Sequence, residues 1–302
     1  MNPQHLLDSA YRQVLAGQVM PALRLLGKPL SDLCIQYEQE DRSHELISTA
    51  RAHPLFEITQ QDPYTARAYN KPRGYAGDAV MLDYIYSGQT DHGISPMGAR
   101  IFQGTTRVSM GLSVVYRKAL LNAYINDTAA LHSPFSMISV ASGHCREIEG
   151  SLVLNDAFQG EFIALDADAQ TCAEVTATYT TPKVRALHGN VKQLLQNEVA
   201  LPGPFNFIYS AGLFDYLSDA VARQLIATLL TRLAPKGRLL VANFVPGAYG
   251  RGYMACFMDW HLIYRTTDEL KALFPEALRA HVTVTTDPHG NVAYAVYTHQ
   301  AV

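Results

Sequence analysis

Short apolar runs alternate with stretches of helical character through the second half of this 302-residue chain. The runs are FSMISVAS, EFIALDA, KVRALHG, FNFIYSA and GRLLVANF. Parallel strands require long crossover connections, usually helices, so the alternation predicts a mostly parallel sheet of the α/β class. The chain then continues as RAHVTVTTDPHGNVAYAVYTHQ, whose two β-rich arms flank residues 287–291 and predict a closing antiparallel hairpin.

The first half of the chain has a different pattern. Apolar side chains recur at helical spacing over residues 3–51, which predicts several short helices. A single further helix is expected over about residues 100–126, before residues 132–134 (HSP) interrupt the pattern. We therefore expect a helical cap or lid domain over residues 1–130 and a Rossmann-like domain over residues 131–302.

Charge and cysteine content narrow the classes of function. The formal net charge is -3 and no dense run of basic residues occurs, so we expect a small-molecule substrate and no nucleic-acid partner. Four dispersed cysteines without a C-x-x-C pair indicate neither a disulfide framework nor a metal site, and reduced thiols favour a cytoplasmic location. The polar first residues and the lack of a long apolar run predict neither export nor a membrane span, and the oligomeric state stays open.

The turn after the first expected strand contains the first candidate ligand-binding residues. Ala141, Ser142 and Gly143 are small enough for a ligand to approach the backbone, and Arg146 follows them in the same turn, before an expected helix. Glycines are commoner where Ala141 and Cys145 stand. An ordinary strand-to-helix turn is the alternative interpretation of this segment.

The next two strands end in polar residues. The second strand ends at Asp166-Ala167, where a carboxylate can accept hydrogen bonds from both hydroxyls of a ribose, although Asp166 could instead cap the following helix. The third strand is followed by Asn190-Val191, which could contact an adenine edge and ring, or Asn190 could be a helix cap. The fourth strand ends in Ser210-Ala211-Gly212, at the sheet edge where ligands lie in such folds, and Asp215 and Tyr216 come next.

Two features of the sequence now support a named resemblance. Residues 135–300 resemble a class I S-adenosylmethionine-dependent methyltransferase domain, including the segment LAPKGRLLV from Leu233, which we interpret as a helix end, a Pro/Gly turn and a strand. The segments Asn70–Asp78 (NKPRGYAGD) and Met258–Thr266 (MDWHLIYRT) resemble a narrower bacterial group. That group includes 3-hydroxypalmitate methyl ester synthases and azetidine-2-carboxylate synthases.

The resemblance implies S-adenosylmethionine as cosubstrate or substrate, and two reactions stay open. One is methyl transfer to a small acid or related metabolite in secondary or signalling metabolism. The other is cyclisation of S-adenosylmethionine to azetidine-2-carboxylate with release of methylthioadenosine. Candidate catalytic groups are Tyr75, Asp78, Asp259 and His261. Aromatic faces suit a sulfonium, so the candidate pocket walls are Asp215 and three aromatic residues, which are Tyr216, Trp260 and Tyr264.

Two other classes of function remain as alternatives. A catalytically silent cofactor-binding module is compatible with the reduced number of glycines in the turn. A nicotinamide dehydrogenase would also use an acid after the second strand, but the turn lacks the G-x-G-x-x-G cradle for a pyrophosphate. Asp78 is also placed to cap a helix beginning near Ala79, which is a structural alternative to a catalytic role.

Overall fold

The structure is a computed structural model, and it describes residues 2–90 and 93–299. Contacts divide the chain into two compact units, Met1–Val115 with Gly247–His261, and Tyr116–Pro246 with Leu262–Val302. The first unit is helical and the second contains the sheet. The division therefore differs from the boundary near residue 130 that the sequence predicts, and one internal segment belongs to the first unit.

Within residues 2–90 and 93–134, eight helices precede the sheet. They are α1 (Pro3–Leu15), α2 (Val19–Gln39), α3 (Ser43–Ala52), α4 (Leu55–Thr59), α5 (Pro63–Asn70), α6 (Ala79–Ser87), α7 (Pro96–Thr105) and α8 (Ser109–Leu131). Asp78 caps α6 by accepting a hydrogen bond from the Met81 amide at 3.1 Å, as the sequence predicts. Among residues 2–90 and 93–299, no helix is long and apolar enough to cross a membrane.

The single helix expected over residues 100–126 is two helices. The chain turns between α7 and α8, where the Thr106 carbonyl lies against Gly111 so closely that a Cβ at Gly111 would collide with it. The second half of α8 belongs to the sheet unit, because Tyr124 stacks on Phe207 with ring centroids 5.6 Å apart. This packing is why the boundary between the units falls inside α8 and not after it.

The internal segment of the first unit contains a buried helix, α12 (Arg251–Phe257). It packs against α2 at Gly252, whose amide donates to the Ser31 hydroxyl at 3.1 Å, while that hydroxyl donates to the Gly27 carbonyl at 2.7 Å. A Cβ on Gly252 would collide with the backbone of Leu30. The two helices therefore approach at a point where only glycine fits.

The second unit is built on a seven-stranded sheet with the order β3-β2-β1-β4-β5-β7-β6. The strands are β1 (Phe135–Val140), β2 (Gly160–Asp166), β3 (Val184–His188), β4 (Phe205–Ser210), β5 (Leu233–Phe244), β6 (Val282–Thr286) and β7 (Val292–Thr298). The helices between them are α9 (Ala169–Thr178), α10 (Val191–Leu195), α11 (Asp219–Leu230) and α13 (Thr267–Ala272). Strands β1 to β5 are parallel and β7 runs antiparallel to both β5 and β6.

The sheet order confirms the predicted fold class, a Rossmann-like sheet of the methyltransferase type with a helical N-terminal region. It also confirms the closing hairpin. Asp287 organises the turn of that hairpin, because its carboxylate accepts hydrogen bonds from the amides of His289, Asn291 and Val292 at 2.7–3.0 Å. The reversed strand β7 thus reaches its place between β5 and β6.

Two local predictions in the second unit are wrong. No α-helix follows the turn after β1, where the chain forms two single 3₁₀ turns, Arg146–Ile148 and Leu152–Leu154. The segment from Leu233 is not a helix end but extended chain, because β5 pairs with β4 on both sides of an irregularity in register. Lys236 takes a left-handed conformation there, with φ of 62°.

We expect Gly252→Ala to lower the free energy of unfolding by about 2 kcal/mol, because the added methyl group forces α12 away from α2. Urea unfolding followed by circular dichroism measures the change. Gly247→Ala is the matched control, since nothing lies within 4 Å of a Cβ at Gly247 in the same unit. A Gly252→Ala protein as stable as the control would contradict this account of the packing.

Candidate functional site

The four predicted cofactor segments lie at one edge of the sheet. Each follows, or ends, one of the parallel strands β1 to β4, and the carboxyl ends of parallel strands point to the same edge. Strand order reverses direction between β1 and β4, which is the position where ligands bind in open α/β sheets. The sheet topology therefore collects these segments around one crevice in the second unit.

The turn after β1 has the backbone of a glycine-rich loop although it holds one glycine. Ala141, Gly143 and Cys145 have φ values of 55°, 57° and 53°, so every second residue is left-handed. Such alternation directs successive amides toward the same side of the chain and favours an electronegative partner. The structure thus explains how a turn poor in glycine can keep the shape of a ligand-binding loop.

The first partner of this turn is Asp166 at the end of β2. One carboxylate oxygen accepts a hydrogen bond from the Gly143 amide at 2.9 Å, and the other accepts from the Asp168 amide at 2.9 Å. Burial raises the pKa of Asp166, and these two amide hydrogen bonds oppose the shift. The helix-capping role belongs to Asp168, which accepts from the Gln170 amide, and not to Asp166.

Asn190 is a helix cap in this structure. Its side-chain oxygen accepts from the Gln193 amide at 2.9 Å, and the Gln193 side chain accepts from the Asn190 amide at 3.0 Å, which completes a capping box for α10. The amide nitrogen of the side chain is the group that could face a ligand. Asn190 and Ala167 are exposed and Val191 is half-buried, so all three are accessible from this edge.

The segment after β4 is held by buried groups. The Ser210 side chain is fully buried and donates to the Val140 carbonyl at 2.8 Å, so it joins β4 to β1 instead of offering its hydroxyl to a ligand. Ala211 and Gly212 lie further out, and the Ala211 carbonyl accepts from the Arg117 guanidinium at 2.6 Å. These two residues remain the accessible part of the segment.

Asp215 is buried behind this segment, with 3% exposure, and its predicted place in a pocket wall stays a prediction. Its carboxylate accepts from the Phe244 amide at 2.7 Å, and its carbonyl accepts from the Ile263 amide at 2.7 Å. Burial raises the pKa of Asp215 to about 7, against the effect of the Phe244 hydrogen bond and of Arg117 and Arg265. Its role here is to join the loop after β4 to the end of β5.

Two charged residues of this region have no assignment from the sequence. Glu147 is 6% exposed and accepts a hydrogen bond from the Tyr209 hydroxyl at 2.6 Å. Arg117, on α8, is 5% exposed and contacts the segment after β4. Glu147 lies two residues after the small-residue turn, and this proximity could have identified it as a residue of this edge. No motif near Arg117 in the sequence indicates that it lies at this edge of the sheet.

Arg146 lies beside the turn but its guanidinium is directed to acidic side chains. It forms ion pairs with Glu174 at 3.3 Å and Glu149 at 3.7 Å, and it is 18% exposed. The predicted contact of Arg146 with a cofactor stays a prediction. Among the described residues, no group of three or more His, Cys, Asp or Glu side chains is arranged to hold a metal ion.

Tyr75 and Asp78 belong to the first unit and differ in accessibility. Asp78 is fully buried, and its carboxylate pairs with the Arg67 guanidinium at 2.7–3.0 Å while it caps α6. Tyr75 is 37% exposed in the loop before α6, so it is the accessible one of the two.

Asp259, also in the first unit, lies between two cations. Its carboxylate contacts Arg51 at 2.7 Å, the Lys71 ammonium and the His261 ring at 3.3 Å. Burial acts to raise the pKa of Asp259, but hydrogen bonds from Lys71 and Arg51 outweigh it and hold the pKa far below its usual range. Asp259 is thus suited to fix the chain, whereas His261 is exposed.

The three aromatic candidates for a pocket wall do not share one unit. Tyr216 and Tyr264 belong to the sheet unit, Tyr216 being 40% exposed and Tyr264 half-buried. Trp260 belongs to the helical unit, where its amide donates to the Met254 carbonyl at 3.0 Å. Contact of these rings with a sulfonium stays a prediction.

Comparison with known proteins gives the fold and no family. No protein-family model and no curated protein matches the sequence. A possible exported protein from Bordetella parapertussis has a similar structure, with 14% sequence identity, 74% of this chain and 80% of that chain covered, and a TM-score of 0.57. This likeness supports the fold alone, because the identity is low.

Two further similar structures have lower scores. A candidate O-methyltransferase from Nostoc punctiforme has 13% identity, covers 80% of this chain and 71% of its own, and gives a TM-score of 0.49. The magnesium protoporphyrin IX methyltransferase from Synechocystis with bound S-adenosylmethionine has 10% sequence identity and a TM-score of 0.45. The match covers 73% of this chain and 96% of that chain.

We expect Asp259→Asn to lower the free energy of unfolding by about 1–2 kcal/mol at neutral pH, because Arg51 and Lys71 lose their shared counter-ion. Since the folded-state pKa is depressed, this stabilisation is complete above about pH 4, the unfolded-state value, and is lost as the pH falls further. Urea unfolding at several pH values measures it. Asp41→Asn, an exposed left-handed position of the same unit, is the control; equal stability of the two variants would contradict the ion-pair role.

Proposed function

We propose that this protein is an S-adenosylmethionine-dependent enzyme that transfers a methyl group to a small acid or related metabolite. One observation carries the proposal. Asp166 is held by the Gly143 and Asp168 amides beside a turn with three left-handed residues, at the reversal point of the sheet. This arrangement supports an adenosyl site here, and the sequence resemblance points to the same residues.

The hydrogen-bonding capacity of Asp166 fits a ribose. A carboxylate has about four lone-pair directions, and the two amides use two of them. The remaining two can accept from two neighbouring hydroxyls. Asn190 would add an amide donor and Val191 an apolar contact for a base, both at the end of the adjacent strand β3. Ala211 and Gly212 would then lie on the side of the reacting group.

The charge of the buried side chains favours a cationic ligand. Asp166, Glu147 and Asp215 are buried carboxyl groups at this end of the sheet, and the buried cations Arg117 and Arg265 both act on Asp215. Each of the three acids has a raised pKa because burial disfavours its charged form. A cation placed near such groups stabilises their ionised forms and is bound more tightly in return. A sulfonium has the required charge.

The state of the candidate bases favours an acceptor that needs no deprotonation. Asp78 and Asp259 are each held in ion pairs within the first unit, and hydrogen bonds from Lys71 and Arg51 hold the pKa of Asp259 far below its usual range, so Asp259 is a poor proton acceptor. Bound S-adenosylmethionine supplies an activated methyl group. A carboxylate acceptor is already anionic at neutral pH, so the protein has to position it and exclude water rather than remove a proton. This is the reason for preferring a small acid as the acceptor.

A cytoplasmic location and the narrower methyl ester synthase or azetidine-2-carboxylate synthase identity stay predictions. The first compared protein is called exported in its name, so the location needs its own measurement. Fractionation of the producing cells followed by immunodetection supplies it.

We expect Asp166→Asn to weaken S-adenosylmethionine binding at least about tenfold, because an amide side chain cannot accept from both backbone amides and both ribose hydroxyls. Isothermal titration calorimetry on the wild type and the variant measures the affinity. Asp168→Asn is the matched control, since its side chain caps α9 and keeps an acceptor after the change. Equal affinities of the Asp166→Asn and Asp168→Asn proteins would argue against the assigned ribose site.

The reaction itself is tested by product analysis. With S-adenosylmethionine and a panel of small carboxylic acids, we expect S-adenosylhomocysteine and a methyl ester to form in equal amounts, as resolved by liquid chromatography and mass spectrometry. Methylthioadenosine formed without any acceptor would instead establish cyclisation. Tight cofactor binding without product under any of these conditions would indicate a binding module, and each of these two results would overturn the proposed transfer.

A further inference from the structure

The helical unit contains a cavity that the cofactor assignment does not use. Its volume is about 40 Å³, and all of its lining residues belong to the unit formed by Met1–Val115 and Gly247–His261. One water molecule needs about 10–15 Å³, so this space holds a group of several non-hydrogen atoms. Native cores contain few voids larger than a water molecule, because a void removes dispersion contacts from the side chains around it. A space of this size therefore calls for an explanation.

Most of the cavity wall is apolar. Leu23 and Leu26 line it from α2, Met110 from the start of α8, and Met254 and Met258 from α12 and the residue that follows it. All five side chains are buried, with exposures of 8% or less. Methionine side chains are unbranched and polarisable, so they adapt to the shape of an apolar guest. The wall is therefore suited to an alkyl group.

The hydroxyl groups of the lining are engaged in a buried hydrogen-bond network. Thr105 donates to the Asp62 carboxylate at 2.9 Å, and the Tyr253 hydroxyl lies 2.9 Å from that of Thr65, which itself donates to Asp62 at 2.7 Å. No charged side chain is among the described residues that line the cavity. Water needs two to four polar partners, and a charged ligand group would lose its hydration here without compensation. The lining thus favours a neutral, apolar guest.

Two half-buried residues of the lining give access to the cavity. Val108 lies between α7 and α8, and Tyr249 lies before α12. The Tyr249 ring packs on Gly27 of α2 so closely that a Cβ at Gly27 would collide with it. A ligand that enters beside Val108 leaves this contact between Tyr249 and α2 in place.

We propose that this cavity is a binding site for the alkyl group of a small, neutral aliphatic molecule. A guest would contact Met254, whose carbonyl accepts from the Trp260 amide at 3.0 Å, and Met258, which directly precedes Asp259. Its binding therefore acts on the segment that contains Asp259, Trp260 and His261. The inference goes beyond the proposed function and does not depend on it, since no residue of the sheet unit lines this site.

Methionine methyl signals give a direct test, because three of the eight methionines of the chain line the cavity. In protein labelled with ¹³C at the methionine methyl groups, we expect n-butanol to shift the signals of Met110, Met254 and Met258 in a saturable way. Met137 is buried in β1 of the other unit and should not shift. Affinity should rise about fourfold for each added CH₂ group from ethanol to n-butanol, because each group is removed from water.

Val108→Phe blocks the cavity in the same assay. We expect the larger side chain to weaken n-butanol binding at least about tenfold, because the ring occupies the space beside the entrance. Val115→Phe is the matched control, since it makes the same change at a side chain of this unit that is 42% exposed. It should bind n-butanol as the wild type does, and equal binding by the two variants would overturn the inference.

Met110→Ala provides a second variant that enlarges the cavity. We expect it to favour n-hexanol over n-butanol at least about fivefold more than the wild type does, because the removed side chain makes room for a longer chain. Where Val108→Phe does not fold, an unchanged preference in Met110→Ala would overturn the inference. Wild-type protein without saturable shifts at the three methionines would also overturn it, and would leave the proposed function intact, because S-adenosylmethionine binding at Asp166 is measured separately.

Discussion

The carboxylate of Asp166 is the group on which the arrangement of the candidate site depends. By accepting from the amides of Gly143 and Asp168, it joins the turn after β1 to the end of β2 and to the start of α9. The turn that it holds contains alternate left-handed residues, two of which are not glycine and are strained there. The Ser142 amide, which donates to the Leu165 carbonyl at 3.1 Å, and the Tyr179 hydroxyl, which donates to the Cys145 carbonyl at 2.9 Å, hold the same turn from either side.

The sequence predicts best those features that depend on neighbouring residues. The Asp78 cap and the Asp287 turn each follow from a side chain that reaches an amide two to five residues away, and both predictions are confirmed. The mostly parallel sheet follows from the alternation of runs, since parallel strands need crossovers. For the same reason, the placement of the cofactor segments at one edge could be predicted before any coordinates.

Other features depend on contacts that sequence spacing does not reveal. The break between α7 and α8 occurs where Gly111 lies against the Thr106 carbonyl. The spacing of apolar residues continues unchanged through this break and therefore does not reveal it. Residue types do not predict that Ala141 and Cys145 adopt glycine-like backbone angles. Residue types likewise do not predict that tertiary contacts bury the side chains of Ser210 and Asp215, which form hydrogen bonds with the backbone of β1 and β5.

The position of α12 in the chain has a consequence for how the protein is made. Residues 247–261 complete the helical unit, yet a ribosome delivers them only after β1 to β5 have been synthesised. The α2 surface around Ser31 therefore stays unfilled until most of the other unit has been synthesised. A polypeptide starting near residue 116 would in turn carry α12 as an apolar helix without α2 and α3, against which it packs in the full chain.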